Sequence, residues 1–162
     1  MNKREFLKVS AGGVLLGAAA PVLAAGSGAL TREEYQGYVD KFNANDMSFI
    51  EYYHPNVELE LGASKIVGDT GIRDFYANVK KYIKETVTVN EFVADEHTIA
   101  VEIPTTFECI ADWEDSFWGM PLRKGQVMRI VTFGFYKVED RKFRYIKTAR
   151  YKMVNDWRME TA

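Results

Sequence analysis

The stretch Tyr35–Leu61, YQGYVDKFNANDMSFIEYYHPNVELEL, decides how this chain is read. Its first half places Tyr35, Tyr38, Val39 and Phe42 at i, i+3, i+4 and i+7, which is one apolar face of a helix. Thr31-Arg32-Glu33-Glu34 ahead of it has the pattern of a capping box, in which Thr31 accepts from a first-turn N–H and Glu34 reaches back. Asn43-Ala44-Asn45 ends the helix. Asp46 caps a short second one carrying Phe49, Ile50, Tyr52 and Tyr53. Pro55 stops that helix, because the residue before a proline avoids helical geometry. Val57-Glu58-Leu59-Glu60-Leu61 then alternates strictly, predicting a half-buried strand with its leucines inward. The alternation turns Glu58 and Glu60 outward, so they read as a solvated or interface-facing pair rather than as catalytic carboxylates.

Working outward, Gly62 to Gly68 reads as a turn and a short paired strand. Thr70 caps a third helix with Ile72, Phe75, Tyr76, Val79 and Ile83 on its buried stripe. Glu85 to Val93, rich in Thr and Val, is a strand, and Asp95-Glu96 turns into another over His97 to Ile110. In that strand Ile99, Val101, Ile103, Thr105, Phe107 and Cys109 share a face, and Pro104 marks a bulge or an edge. Residues 111–124, ADWEDSFWGMPLRK, break the alternation and read as a loop over a pocket mouth. Gln126 to Val138 and Lys142 to Tyr151 form a last hairpin turning at Glu139-Asp140-Arg141, with a loosely packed tail from Lys152. Helices first and antiparallel strands after them predict an α+β domain, a curved sheet wrapped over helices.

At 162 residues and 47% hydrophobic, the chain supports one domain with a real core, placed at residues 25–162. The 14% aromatic content fits either a cavity for a flat, greasy ligand or a Phe/Tyr-rich core. Residues 1–24 carry a basic start (Lys3, Arg4), a small-residue apolar run from Val9 to Ala20, and Ala24-Ala25 as a cleavage site. Their run is too short and too rich in Gly and Ala for a membrane span. Lys3-Arg4-Glu5-Phe6-Leu7-Lys8 resembles a twin-arginine export signal with Lys in place of the first Arg, which implies a periplasmic or otherwise exported protein. Those residues hold a net charge of +2 and leave −4 on the rest, which gives no basic footprint for nucleic acid. Cys109, the only cysteine, allows no internal disulfide and reads as a packed thiol.

No Gly-rich phosphate loop, GxSxG or zinc spacing is present, so neither a cofactor nor a metal is expected. His54 sits at a helix-to-strand corner. It either satisfies backbone groups there or serves as a general base at the pocket edge. Tyr38, Tyr53 and Tyr76 come from three successive helices. They are either aromatic core or a phenolic network able to stabilise an oxyanion.

On these residues the chain resembles the nuclear transport factor 2-like superfamily, in particular its ketosteroid isomerase and SnoaL-like polyketide cyclase branch. The likeness is carried by Tyr38-Val39 with Asn43-Ala44-Asn45-Asp46, by Tyr53-His54-Pro55-Asn56-Val57, and by Gly71-Ile72-Arg73-Asp74-Phe75-Tyr76, and it spans about residues 31–151. The resemblance implies a cone, in which a strongly bent antiparallel sheet closes around three N-terminal helices over a deep pocket, and it implies a homodimer. Tyr38 matches the oxyanion tyrosine of ketosteroid isomerase, and Tyr53 and Tyr76 match two tyrosines that support it. The isomerase's catalytic Asp falls at Leu61, and its protonated Asp partner falls near Thr132 or Gly134, so neither carboxyl is here. Asn43 lies near an acidic position of dehydratase-like relatives. Ile146, Thr148 and Arg150 face the pocket by the same alignment. Arg150 then either orients a substrate anion or pairs with Asp112, Glu114 or Asp115.

The implied lining comprises Phe42, Leu59, Leu61, Phe75, Val101, Ile103, Phe107, Trp113, Trp118, Thr132 and Thr148, with Tyr38, Tyr53, Tyr76, His54 and Arg150 as catalytic candidates. The expectation is a cofactor-independent lyase or isomerase that moves protons on a hydrophobic, aromatic or polyketide-like molecule. Elimination, dehydration, isomerisation, cyclisation and retro-aldol cleavage all fit, and relatives include lyases of lignin-derived phenolic dimers. His54, Asp40 and Asp115 are candidates for the base. The rival reading is a non-catalytic binding or assembly domain of the same fold.

Overall fold

The computed structural model describes residues 28–160; the expected export signal at 1–24 lies outside the described residues. Helix α1 (Arg32–Asn43) opens with the full capping box of Thr31 and Glu34 and buries Tyr35, Tyr38, Val39 and Phe42. A 3₁₀ helix (Met47–Tyr52) follows, capped by Asp46 through Ser48 N–H and burying Phe49 and Ile50. Then come β1 (Tyr53–Leu61), β2 (Ser64–Val67), α2 (Asp69–Val79), β3 (Ile83–Val87), β4 (Phe92–Ala94), β5 (Thr98–Cys109), β6 (Gln126–Glu139) and β7 (Lys142–Met159). The seven strands form one sheet in the order β2-β1-β7-β6-β5-β3, with β4 paired to β5.

Several local expectations are corrected. The sheet is mixed, because β1 runs parallel to β7 while its other pairs are antiparallel. The β1–β7 register shifts between Tyr53 and Glu58, across Pro55, which has no N–H to give the ladder. Helix α2 starts at Asp69 after Gly68 (φ 81°) with no side-chain cap, and Asp69 accepts from Thr70 N–H at 2.7 Å. Ile83 belongs to β3 rather than to that helix. The strand expected over residues 85–93 is split between β3 and β4. Pro104 is neither bulge nor edge, since β5 and β6 pair without a shift past it. Its other side lies where β5 changes partner from β3 to β4, and its carbonyl accepts from Thr88 N–H at 2.9 Å. The tail beyond Lys152 is strand. It pairs with β6 as far as Met159, and Asn155 is buried with its amide donating to Val127 O at 3.0 Å.

Four register shifts interrupt the long β6–β7 pair, and such irregularities bend a sheet. The β6–β7 turn is tight, with Asp140 (φ 49°) and Arg141 (φ 59°) both left-handed, the geometry of a two-residue hairpin turn. The bent sheet and the helices enclose a core centred on Phe143, which is 0% exposed. Its ring meets those of Tyr35, Tyr38, Tyr53 and Tyr136 at centroid distances of 4.9–6.1 Å. A second cluster of Val79, Ile83, Cys109, Trp113 and Leu122 closes one end. Cys109 is there a packed thiol, its Sγ donating to Ala111 O at 3.1 Å. On the convex face Phe133 and Tyr151 stack at 4.5 Å in solvent.

Phe143→Ala removes the ring against which four phenols pack. It should cost about 3–5 kcal/mol in urea unfolding, the range for a buried Phe truncated in a tight core. A loss below about 1 kcal/mol would show that the cluster does not depend on it.

Candidate functional site

Between α1, α2 and the concave face of the sheet lies a cavity of about 200 Å3. That is below the ~300–1,000 Å3 of typical drug-sized pockets, so it suits a one- or two-ring molecule. Tyr38, Tyr53, Tyr76, Phe42, Leu59, Leu61, Phe75, Ile103, Phe107, Trp118, Thr132 and Thr148 all line it, joined by Tyr35, Glu85, Tyr136 and Phe117 among others. Four expected residues lie elsewhere. Val101 is 2% exposed in the core beneath Gly134. Trp113 stacks on Tyr82 at 4.8 Å, turned from the mouth by its paired bridge to Leu122. His54 stays at its corner, where Nδ1 accepts from Asn56 N–H at 3.1 Å. Arg150 is exposed opposite Thr132, where the β6–β7 register shifts between Val131 and Thr132. Of the other candidates for the base, Asp40 is exposed and accepts from Gln36 at 2.8 Å, and Asp115 is exposed too. Glu58 and Glu60 face away from the cavity. Lys65 pairs with Glu58 at 2.6 Å, and Tyr145 donates to Glu60 at 2.7 Å.

The carboxyl in the cavity is Glu85. Ile83, Glu85 and Val87 share the inward face of β3, so strand alternation carries the acid in among apolar side chains. Desolvation pushes its pKa from the ordinary 4.5 to about 7, with the Lys80 ammonium restraining the rise. Lys80 is itself half-buried, and desolvation lowers its pKa. Its ammonium donates to Phe42 O at 2.8 Å at the end of α1 and lies 4.1 Å over the Phe42 ring. Asn43 fixes the other side of this junction. Its amide donates to Val87 O and accepts from Val87 N–H, each at 2.8 Å, and so ties the end of α1 to β3 two residues beyond Glu85. Asn43 is thus a clamp on the strand that carries the acid.

Phenols line the same cavity in two hydrogen-bonded pairs. Tyr38 and Tyr53 share a hydrogen bond of 2.7 Å, and Tyr35 donates to Tyr136 at 2.7 Å. Tyr76 lines the same cavity with its ring edge-on to Phe42 and Phe49 but bonds to neither pair. Burial pushes Tyr35, Tyr38, Tyr53 and Tyr76 well above the ordinary phenol value, so all are neutral donors near neutral pH. Tyr136 is pushed up to about 12 by burial, restrained by the bond it accepts from Tyr35.

Glu85 was findable in the sequence, by the parity of Ile83-Lys84-Glu85-Thr86-Val87 once the strand is begun at Ile83. Tyr136 shares its parity with Ile130, Thr132 and Gly134 on β6, but nothing in the sequence sets it apart from a core tyrosine. Among the described residues, no group of three or more His, Cys, Asp or Glu side chains is placed to share a metal ion. No helix among them is long and apolar enough to cross a membrane.

No protein-family model and no curated protein matches the chain. Solved structures do match in fold, and what they share with this chain is the α+β cone, a bent sheet over helices. A proposed polyketide cyclase from Silicibacter sp. TM1040 superposes with a TM-score of 0.64 and 20% identity over 73% of this chain and 86% of that one. A proposed ketosteroid isomerase from Kribbella flavida gives 0.55 and 18% identity over 77% and 80%. An LEH-like epoxide hydrolase from M. tuberculosis gives 0.59 and 11% identity over 73% and 80%.

The shifted acid has a sign-specific consequence for stability. Between about 4.5 and 7 the folded protein keeps a proton on Glu85 that the unfolded chain has released. Stability arising from this group therefore falls as pH rises through that window and then levels. The unfolding free energy of the wild type relative to Glu85→Gln should fall by on the order of 3 kcal/mol across it. Lys80→Met should extend the fall to higher pH by raising the Glu85 pKa further. Urea titrations at several pH values check both, and a difference that does not vary with pH would contradict the assignment.

Proposed function

We propose that this protein is a cofactor-independent enzyme in which Glu85 moves a proton on a small hydrophobic, aromatic or polyketide-like molecule. The observation that carries the reading is a carboxyl enclosed in an aromatic cavity, where desolvation pushes its pKa up to about 7, within electrostatic reach of neutral phenols. An acid that titrates at the working pH serves as base in one half-reaction and as acid in the other.

In the simplest cycle the Glu85 carboxylate takes a proton from carbon next to a carbonyl. Charge develops on the carbonyl oxygen, and the bonded Tyr38–Tyr53 pair, in which either hydroxyl can be the donor, supplies one phenol proton to it while the other phenol holds that donor in place. The protonated Glu85 then returns the proton. Delivery to a different carbon completes an isomerisation. Delivery to a β-hydroxyl breaks the C–O bond, forms C=C and releases water. Phe117 and Trp118, packed edge to face, form part of the lining. A solved structure with the same fold is described as an isomerase, others as cyclases or a hydrolase, and this lends support to an enzyme without selecting the reaction.

The test is hydrogen–deuterium exchange into 2-tetralone, a two-ring ketone, followed by NMR in D2O. The wild-type rate should rise with pH to a plateau above about 7, Glu85→Gln should lose at least ~100-fold, and Tyr38→Phe at least ~10-fold. Glu85→Gln exchanging at the wild-type rate removes Glu85 as the base. Tight binding with the ketone recovered unexchanged favours a binding domain of the same fold.

A further inference from the structure

Among the described residues, the cavity lining contains no Lys and no Arg, so none of them puts a positive charge there to balance an oxyanion. Stabilisation must come from neutral donors, and one is available on the sheet wall as well as on α1. Tyr136 accepts the Tyr35 hydroxyl at 2.7 Å, and among the described residues its own proton has no acceptor. Its ring is 4% exposed and lines the cavity.

The backbone is shaped for this ring. A Cβ at Gly134, two residues earlier on the same face of β6, would lie 2.8 Å from Tyr136 Cε2 and 3.3 Å from its hydroxyl. The same Cβ would lie 3.1 Å from Val101 Cγ1. Only glycine lets the Tyr136 ring lie across the strand and point its phenol at the ligand space. Phe143 at 4.9 Å and Tyr35, edge-on at 5.4 Å, hold it from the other sides.

Resting on the reading of the cavity as a proton-transfer site, we propose that Tyr136, backed by Tyr35, is a second oxyanion donor. The site then takes neutral phenols, enols and enolisable ketones. Two phenols of separate origin, Tyr38 from α1 and Tyr136 from β6, converge on the ligand oxygen. Carboxylate-bearing ligands are disfavoured, because the Glu85 carboxyl, once ionised, opposes them and no cation among the described lining residues offsets it. Tyr35 is a positioning residue. Its donated bond polarises the Tyr136 O–H and leaves that proton for the ligand.

The experiment measures binding of 4-nitrophenol near pH 6, reading bound phenolate by its absorbance. Tyr136→Phe should weaken phenolate binding about tenfold, comparably to Tyr38→Phe, and Tyr35→Phe by a smaller two- to fivefold. Tyr136→Phe leaves the Tyr35 hydroxyl without its partner, so the double variant Tyr35→Phe/Tyr136→Phe, with no orphaned donor, should show the same tenfold loss in a fully folded protein. 4-Nitrobenzoate should bind more weakly than 4-nitrophenol above about pH 8, where Glu85 is ionised, and should gain affinity there in Glu85→Gln. If Tyr136→Phe and the double variant both bind within twofold of wild type while Tyr38→Phe and Glu85→Gln alter binding, the second donor is refuted and the proton-transfer site stands. If none of the variants alters binding, or the wild type does not bind the probe, both readings fail together.

Discussion

A carboxyl held inside an aromatic cavity is the constraint on which the rest of the site depends. Left alone, the charged form of Glu85 would be driven out towards solvent or the strand would shift to release it. The end of α1 prevents this. Asn43 takes both backbone groups of Val87, and Lys80 reaches from just beyond α2 to cap Phe42 O close enough to favour the ionised acid. Neither residue lines the cavity, yet together they set where the carboxyl sits and how strongly it holds its proton. Lys80 has a divided role. Its ammonium satisfies a helix-end carbonyl and lies on an aromatic face, so the charge that tunes Glu85 is kept out of the ligand space.

The phenols solve the complementary problem. A site that generates negative charge on a ligand needs donors, and a guanidinium or ammonium in the lining would hold Glu85 ionised and make it a weak base. Neutral hydroxyls donate without lowering the acid's pKa by a full charge. Burial keeps them neutral, because their own ionisation is penalised more heavily than that of a solvated phenol. Pairing matters for the same reason. A buried hydroxyl bonded to another is restrained in place, and Tyr136, which accepts from Tyr35, keeps its own proton out of that bond.

Most of the architecture was legible in the sequence because it rests on local periodicity and caps. The capping box at Thr31, the i, i+3, i+4, i+7 face of α1 and the alternation at Val57–Leu61 each fix an element without reference to the rest of the chain. The errors fall where pairing decides. The strand beyond Lys152 has mixed, polar residues whose order comes from β6, and the parallel β1–β7 contact joins segments more than eighty residues apart. The aromatic lining was largely foreseen through the family likeness, including Tyr38 beside Tyr53. The acid was not, because Glu85 was taken as the start of a strand rather than its middle, and one residue of context conceals on which face a side chain lies. Trp113 and Trp118 differ for a similar reason. The sequence gives both to one loop, and only the bridge from Trp113 to Leu122 shows which turns into the core.

The place of the acid bears on how one cone hosts different chemistries. The resemblance read in the sequence puts the isomerase's base at Leu61 on β1 and its protonated acid near Thr132 or Gly134 on β6. In this chain Leu61 and Thr132 line the cavity, and the space above Gly134 is filled by the Tyr136 ring. The carboxyl enters instead from β3, on the far side of the sheet order from β1. A bent sheet makes this exchange possible, since inward positions on β1, β3 and β6 all face one small volume and any of them can carry the ionisable group. What cannot be exchanged is the enclosure that shifts its pKa. Aromatic walls and a neutral donor set are therefore the more telling features of the site, and a carboxyl placed at Leu61 without the clamp of Asn43 and Lys80 would not reproduce the behaviour of Glu85.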